Sequence, residues 1–194
     1  MNPAPRYRRL RVGGCLQVLV EQRPDGVQVL RSAERLGPFP PRLTDRLEHW
    51  AAVSPDRTLV ARRSRGAGAA QHNGAWSRIS FEQMLQRAQA VGQALVDRRL
   101  SSDRPVAILS DNDLEHMTLA LGAMWAGVPW VPVSPAYSLL SQDHGKLRHI
   151  LGVTTPGLVF ASGPDYARAI GASVPPDTEV VLTEGRLEGR EVTQ

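Results

Sequence analysis

Val106-Ala-Ile-Leu-Ser-Asp-Asn-Asp-Leu-Glu-His-Met-Thr-Leu-Ala-Leu-Gly-Ala-Met-Trp-Ala-Gly-Val-Pro-Trp-Val-Pro-Val133 holds a complete strand–helix–strand unit. Val106 to Leu109 is a short, wholly apolar run, as a strand covered on both faces requires. Asn112 stands where a helix cap is needed, with Glu115 three residues on. Leu114, Met117, Leu121 and Met124 recur at helical spacing and predict the buried stripe. Gly127, free to take positive φ, ends the helix. Val128 to Val133 returns as a strand. Pro129 and Pro132 each remove a backbone donor, which predicts a sheet edge or an irregular strand.

The same alternation continues in both directions. Ser141 opens a predicted helix with Leu147, Ile150 and Leu151 on its inner side. Leu158 to Ala161 is a strand, Pro164 suits the first turn of a helix to Ile170, and Glu179 to Thr183 is a last strand. Upstream, Ser80-Phe-Glu-Gln83 has the form of a capping box and starts a helix to about Arg98. Leu85, Ala88, Val91 and Leu95 are its expected buried face. Thr58 to Ala61 and Trp76 to Ile79 read as a hairpin with a long tip. Thr44 can cap a helix to about Val53, with Leu43, Leu47, Trp50 and Ala51 as its stripe.

Two alternating runs between Cys15 and Ser32 flank Pro24-Asp25-Gly26 and predict a β-hairpin. Leu36-Gly-Pro-Phe-Pro-Pro-Arg42 follows as a rigid, donor-poor link. The organisation expected is therefore residues 1–42 as hairpin and proline-rich link, and residues 43–194 as an α/β domain. Its short apolar strands and amphipathic helices predict a mostly parallel sheet with helices on its faces.

Composition narrows the function classes. The chain has 194 residues, 42% hydrophobic and 22% charged, which suits a folded core. No apolar run approaches the roughly 20 residues that span a bilayer, so no membrane is expected as a partner. Met1 to Arg11 is basic, but no apolar h-region follows it. The formal charge is +4, carried by arginine, with Lys146 the single lysine. The arginine clusters at Arg6/Arg8/Arg9/Arg11, Arg62/Arg63/Arg65 and Arg98/Arg99 lack interleaved aromatics apart from Tyr7. That pattern argues for solvated surface charge and against a nucleic-acid partner. A single cysteine, Cys15, excludes an internal disulfide and reads as a passive thiol, with the cytoplasm as the natural compartment.

Candidate chemistry is sparse. Arg65-Gly-Ala-Gly-Ala-Ala70 resembles a phosphate loop in composition, but it lies between two predicted strands with no Lys-Ser/Thr after it. A hairpin tip is the better reading. Asp111, Asp113, Glu115 and His116 gather at a helix start. Adjacent Glu115 and His116 point about 100° apart, which disfavours metal ligation and leaves capping and the helix dipole as the explanation. His144 and His149 are five apart and read as surface or boundary residues. No nucleophile–base arrangement follows from spacing. Neither a catalytic residue nor a metal ligand is assigned.

Two segments resemble motifs of the adenylate-forming acid–CoA ligases. Trp76-Ser-Arg-Ile-Ser-Phe-Glu-Gln-Met-Leu85 is similar to the first core motif, and Leu121-Gly-Ala-Met-Trp-Ala-Gly-Val-Pro-Trp-Val-Pro-Val133 to the second. A finer resemblance, to the feruloyl-CoA synthases, rests on three runs. They are Leu30 to Pro40 leading into Leu43 to Ala51, then Val106 to His116, then Val133-Ser-Pro-Ala-Tyr-Ser-Leu-Leu-Ser-Gln-Asp-His-Gly-Lys-Leu-Arg-His-Ile-Leu151. The resemblance runs from about Tyr7 to Thr183. It places residues 43–194 within the large N-terminal domain of such a ligase.

The resemblance implies ATP, magnesium and CoA as the family's cofactors. A carboxylate such as ferulate, 4-coumarate or caffeate becomes an acyl-adenylate with loss of pyrophosphate, and the CoA thiol then displaces AMP. The family's phosphate loop, a Thr-Ser-Gly-Ser/Thr-Thr-Gly-x-Pro-Lys run, does not occur in this sequence. Neither do its ribose-binding acidic motif, hinge and C-terminal lysine. Lys146 matches none of them. The expectation is an N-terminal portion of a ligase that is inactive alone and needs no cofactor by itself. Its partner would be a separately encoded remainder, and uncovered sheet surface would favour self-association. The alternative is a non-catalytic binding or assembly module on the same fold. By motif, the residues near a site are Pro135, Ala136 and Tyr137, at the C-terminal end of a strand. The plainer reading of those three is a loop packed against other parts of the fold.

Overall fold

The computed structural model describes residues 17–63 and 74–194. Two compact units divide between Pro41 and Arg42. In the first, β1 (Val18–Gln22) pairs antiparallel with β2 (Gln28–Ser32), Val20 opposite Leu30. Asp25 accepts from the Val27 amide, and Gly26 takes φ +85° at the turn. Cys15, the Arg6–Arg11 cluster and the 65–70 glycine run lie outside the described residues.

The second unit begins with α1 (Thr44–Val53). It continues through the hairpin β3 (Thr58–Arg63) and β4 (Trp76–Ser80) to α2 (Phe81–Asp97). Thr44 does not cap α1. It is the first helical residue and is buried, and Arg42 instead pairs with Asp45. The capping box at α2 is formed: Ser80 Oγ accepts from the Gln83 amide and Gln83 Oε1 from the Ser80 amide.

Four strands then alternate with helices. They are β5 (Val106–Leu109), β6 (Trp130–Pro132), β7 (Leu158–Ala161) and β8 (Glu179–Leu182), all parallel in the order β6-β5-β7-β8. The proline-bearing β6 takes an edge, as its missing donors require. Thr193 bridges Val181 at the other edge. Helix α3 (Leu114–Ala126) joins β5 to β6. Between β6 and β7 run α4 (Pro135–Leu139) and α5 (Gly145–Thr154). A 3₁₀ turn at Pro164–Tyr166 and α6 (Ala167–Ser173) lead to β8.

All four residues of β5 and of β7 are buried, because both sheet faces are covered. One face packs Ala107, Val159 and Val180 under Leu147 and Leu151 of α5 and Ile170 of α6. The other packs Val106, Ile108 and Phe160 under Leu95 of α2 and Leu119 and Ala123 of α3.

Several local expectations are corrected. Asp113, not Asn112, caps α3, accepting from the His116 amide at 2.6 Å. The stripe Leu114, Met117, Leu121 and Met124 is only half-buried, while Leu119, Ala120, Gly122 and Ala123 are buried. Helix α3 is gripped on two sides, by the sheet and by α2. Its smallest residues therefore go deepest. On α2, likewise, Met84 and Gly92 are buried with Ala88 and Leu95, whereas Leu85 and Val91 are half-buried. Helix α5 starts at Gly145, not at Ser141. Ser141 Oγ accepts from the His144 amide and Asp143 from the Gly145 amide, which makes a turn before the helix. The short α4 was not expected from sequence.

Candidate functional site

The C-terminal ends of the parallel strands converge on one cleft, of about 610 Å³. This is where ligands gather in open α/β sheets. After β5 it receives Asp111, Asp113 and Glu115. After β6 it receives Pro135 and Leu139 of α4. Beyond β7 come Ser162, Gly163, Asp165 and Tyr166, and beyond β8 Glu184. The hairpin supplies the opposite wall through Arg62 and Arg63 of β3 and Ser77 of β4.

Local bonding fixes these groups. Asp113 is buried, spends one oxygen on the α3 cap and turns the other toward Arg62 at 3.9 Å. The Arg63 guanidinium lies over the Trp76 ring, 4.9 Å from its centroid, where the negative face of the ring attracts it. His116 is held behind the cleft. Its Nδ1 is 2.9 Å from Ser110 Oγ, and its ring meets the edge of Trp130. Ser110 is buried at 2% exposure, so no substrate reaches that hydroxyl. Tyr166 lies at the cleft with 4% exposure. Burial pushes its phenol above the usual tyrosine range. A hydrogen bond with Ser162 opposes the rise, and the charges of Asp111, Asp113 and Asp165 add to it.

Of the residues named by motif, Pro135 lines the cleft. Tyr137 lies in a separate hollow with Lys146, whose Nζ is 5.1 Å from the ring centroid. Ala136 lines neither of these two cavities; its carbonyl accepts from Leu140 and Ser141. His149 is exposed as expected, but His144 is buried at 2% exposure, a correction. Its left-handed φ of +51° turns the ring inward toward the Tyr137 carbonyl. Among the described residues no three His, Cys, Asp or Glu side chains are placed to share a metal ion. Arg62, Arg63, Asp165, Tyr166 and Glu184 were not found from sequence. Only the rule that strand C-termini host ligands points at the last three. No local signal brings the hairpin arginines there.

Residues 47–192 match the family described as AMP-binding enzyme, three quarters of the chain. The chain belongs to that family. Over 113 residues, 57% of the chain, this AMP-binding domain is 26% identical to a luciferin 4-monooxygenase of Nipponoluciola cruciata, and spans 20% of that protein. Among solved structures, a fatty acyl CoA synthetase of Mycobacterium tuberculosis superposes with a TM-score of 0.54 at 22% identity, over 71% of this chain and 25% of that one. A fatty acid AMP ligase of Legionella pneumophila gives 0.54 at 20% identity, over 66% and 21%. At these identities the likeness is one of fold. The mixed α/β fold with its parallel four-stranded sheet is that of the N-terminal domain of adenylate-forming ligases.

The lining of the cleft does not fit the triphosphate that the family resemblance implies. Carboxylates outnumber guanidiniums among the described lining residues, and none of those residues is a lysine. A phosphate cradle needs convergent backbone N–H groups and cationic side chains. No chemical step is therefore drawn through a nucleotide bound in this cleft.

Proposed function

We propose that this domain is part of the acyl-activating domain of an acid–CoA ligase acting on hydroxycinnamates, ferulate foremost. It is inactive until joined by groups this sequence does not contain. The observation that carries the proposal is the family match over residues 47–192, laid on a parallel sheet whose strand ends open into one cleft. The preference for ferulate is supported by the three runs that resemble feruloyl-CoA synthases, above all Val133 to Leu151. The missing function is the binding of phosphates and the positioning of the carboxylate for in-line attack, which groups outside this domain would supply. Action in the cytoplasm fits the single cysteine. Among the described residues, no helix is long and apolar enough to cross a membrane.

The test is reconstitution. Purified chain, ferulate, ATP, magnesium and CoA are assayed for pyrophosphate release, with and without a polypeptide carrying the family's phosphate loop and C-terminal lysine. Release is expected only from the mixture, and only with ferulate or its hydroxycinnamate analogues. Turnover by the chain unaided refutes the division of labour. A mixture that turns over fatty acids but not hydroxycinnamates refutes the substrate class. The mismatch between the cleft and phosphate favours one other reading, a non-catalytic module. Its mark would be no release with any such partner.

A further inference from the structure

Helix α4 buries its serine and exposes its leucines. Ser138 is 5% exposed, whereas Leu139 and Leu140 beside it are 45% and 76% exposed. Among the described residues the Ser138 hydroxyl has no hydrogen-bond partner. A buried hydroxyl left in that state carries a desolvation cost that contact with water removes. The turn that follows adds to it. His144 is buried, its Nε2 also lacks a partner among the described residues, and its backbone takes φ +51°, a left-handed conformation that a side chain disfavours. Its Nδ1 lies 3.4 Å from the Tyr137 carbonyl oxygen, a long contact. With five residues, α4 has little helical stability of its own. Little opposes its release. Leu139 and Leu140 already face solvent, so parting α4 from α5 and α6 uncovers chiefly the half-buried Tyr137 and the core beneath it.

We infer that α4 and the turn from Leu140 to His144 open as one unit while the rest of the fold stays closed, and that this unit is a movable wall of the cleft. Pro135 and Leu139 line the cleft, so the opening changes its width on the β6 side. In the open form Ser138 and His144 gain water and the left-handed backbone relaxes. In the closed form Tyr137 keeps its packing and its contact with Lys146. Segments of low local stability are the ones from which gates at ligand clefts are built. The device does not depend on the ligase reading, because every group it uses belongs to this domain.

The test is amide hydrogen exchange in the ¹⁵N-labelled full chain, with and without low urea. The Tyr137 amide donates to the Ser134 carbonyl and the Ser141 amide to the Ala136 carbonyl, so these two report on the unit. They are expected to exchange about a hundredfold faster than the ladder amides of β5 and β7, at a rate that low urea leaves unchanged. Ser138→Ala removes the unpartnered hydroxyl from the closed form and should slow both about tenfold. Leu140→Ser changes a side chain already in solvent and should alter them by less than about threefold. Unchanged or faster exchange in Ser138→Ala overturns the inference, since the hydroxyl would then be satisfied in the closed form, as by an ordered water. So does a urea dependence equal to that of β5 and β7, because the unit would then open only with the whole fold. A tenfold or greater acceleration in Leu140→Ser also overturns it, by showing that the leucine is packed. None of these readings involves catalysis, so the inference can fail while the reconstitution assay succeeds, and the reverse.

Discussion

Replacing Gly122 by alanine tests the packing on which the second unit is built. Helices α2 and α3 cross where Gly92 faces Gly122. A Cβ on Gly122 would stand 2.5 Å from Val91 Cγ1, 2.7 Å from Val91 Cβ and 3.2 Å from the Ala88 carbonyl oxygen. Val91 is β-branched and stiff at χ1 in a helix, and the carbonyl is backbone, so neither yields without parting the helices. Overpacking of this kind costs about 1–3 kcal/mol. Alanine recovers about 1 kcal/mol of helix propensity over glycine. With contacts this short the cost falls at the upper end, leaving a net loss of about 1–2 kcal/mol. For a chain of this size that lowers Tm by about 2–8 °C. Gly152 on α5 is the control. A Cβ there meets nothing within 4 Å, so Gly152→Ala should stabilise by up to about 1 kcal/mol. Thermal melts and urea titrations of both variants decide the matter. In the double variant Gly122→Ala/Val91→Ala the opposing atoms are gone, and the two changes should couple favourably by about 1 kcal/mol. A Gly122→Ala chain as stable as wild type, beside a stabilised Gly152→Ala chain, would refute the close crossing.

Two further outcomes are expected. Arg190 donates to the carbonyls of Val174, Pro175 and Thr178, and burial depresses its pKa against an opposing pull from Asp177. Arg190→Met should cost about 2–3 kcal/mol in urea unfolding. Arg190→Lys should recover little, since an ammonium lacks the planar fork, and a cost under about 0.5 kcal/mol for the methionine would remove the strut from the argument. Alkaline absorbance titration should show Tyr166 ionising later than an ordinary tyrosine, and Tyr166→Phe should abolish that late step. For an acid whose folded pKa is raised, the stabilisation is complete below the unfolded value of about 10 and is lost as pH climbs through the folded value. A rise in stability with pH on the approach to about 10, in wild type but not in Tyr166→Phe, would contradict the direction of the shift.

Local chemistry carried much of the fold. Ser80 and Gln83 are three apart and need only each other, so their capping box was legible and is present. Gly127 was legible for the same reason and takes φ +70°. Pro129 and Pro132 placed their strand at an edge because a missing donor acts on its own residue. Expectations failed where a choice depended on a neighbour far along the chain. Asn112 and Asp113 cap equally well in isolation, and Asp113 is selected where Arg62 approaches it. The stripe of α3 was misjudged because large residues were expected deepest, whereas α2 presses so close at Gly122 that a Cβ there would stand 2.5 Å from Val91.

The amino-acid sequence by itself determined the alternation of strands and helices, the parallel sheet buried on both faces, and the residue types at the strand ends. Periodicity, caps and prolines act within a few residues, so these features needed no knowledge of what lay opposite. Only the tertiary structure decided the order β6-β5-β7-β8 and the meeting of the β3 arginines with Asp111, Asp113, Asp165 and Glu184 around one cleft. Those groups come from segments up to 122 residues apart, Arg62 to Glu184. What unites them is the closing of a core around the sheet, and the charge of the cleft is a property of that assembly which no single segment carries.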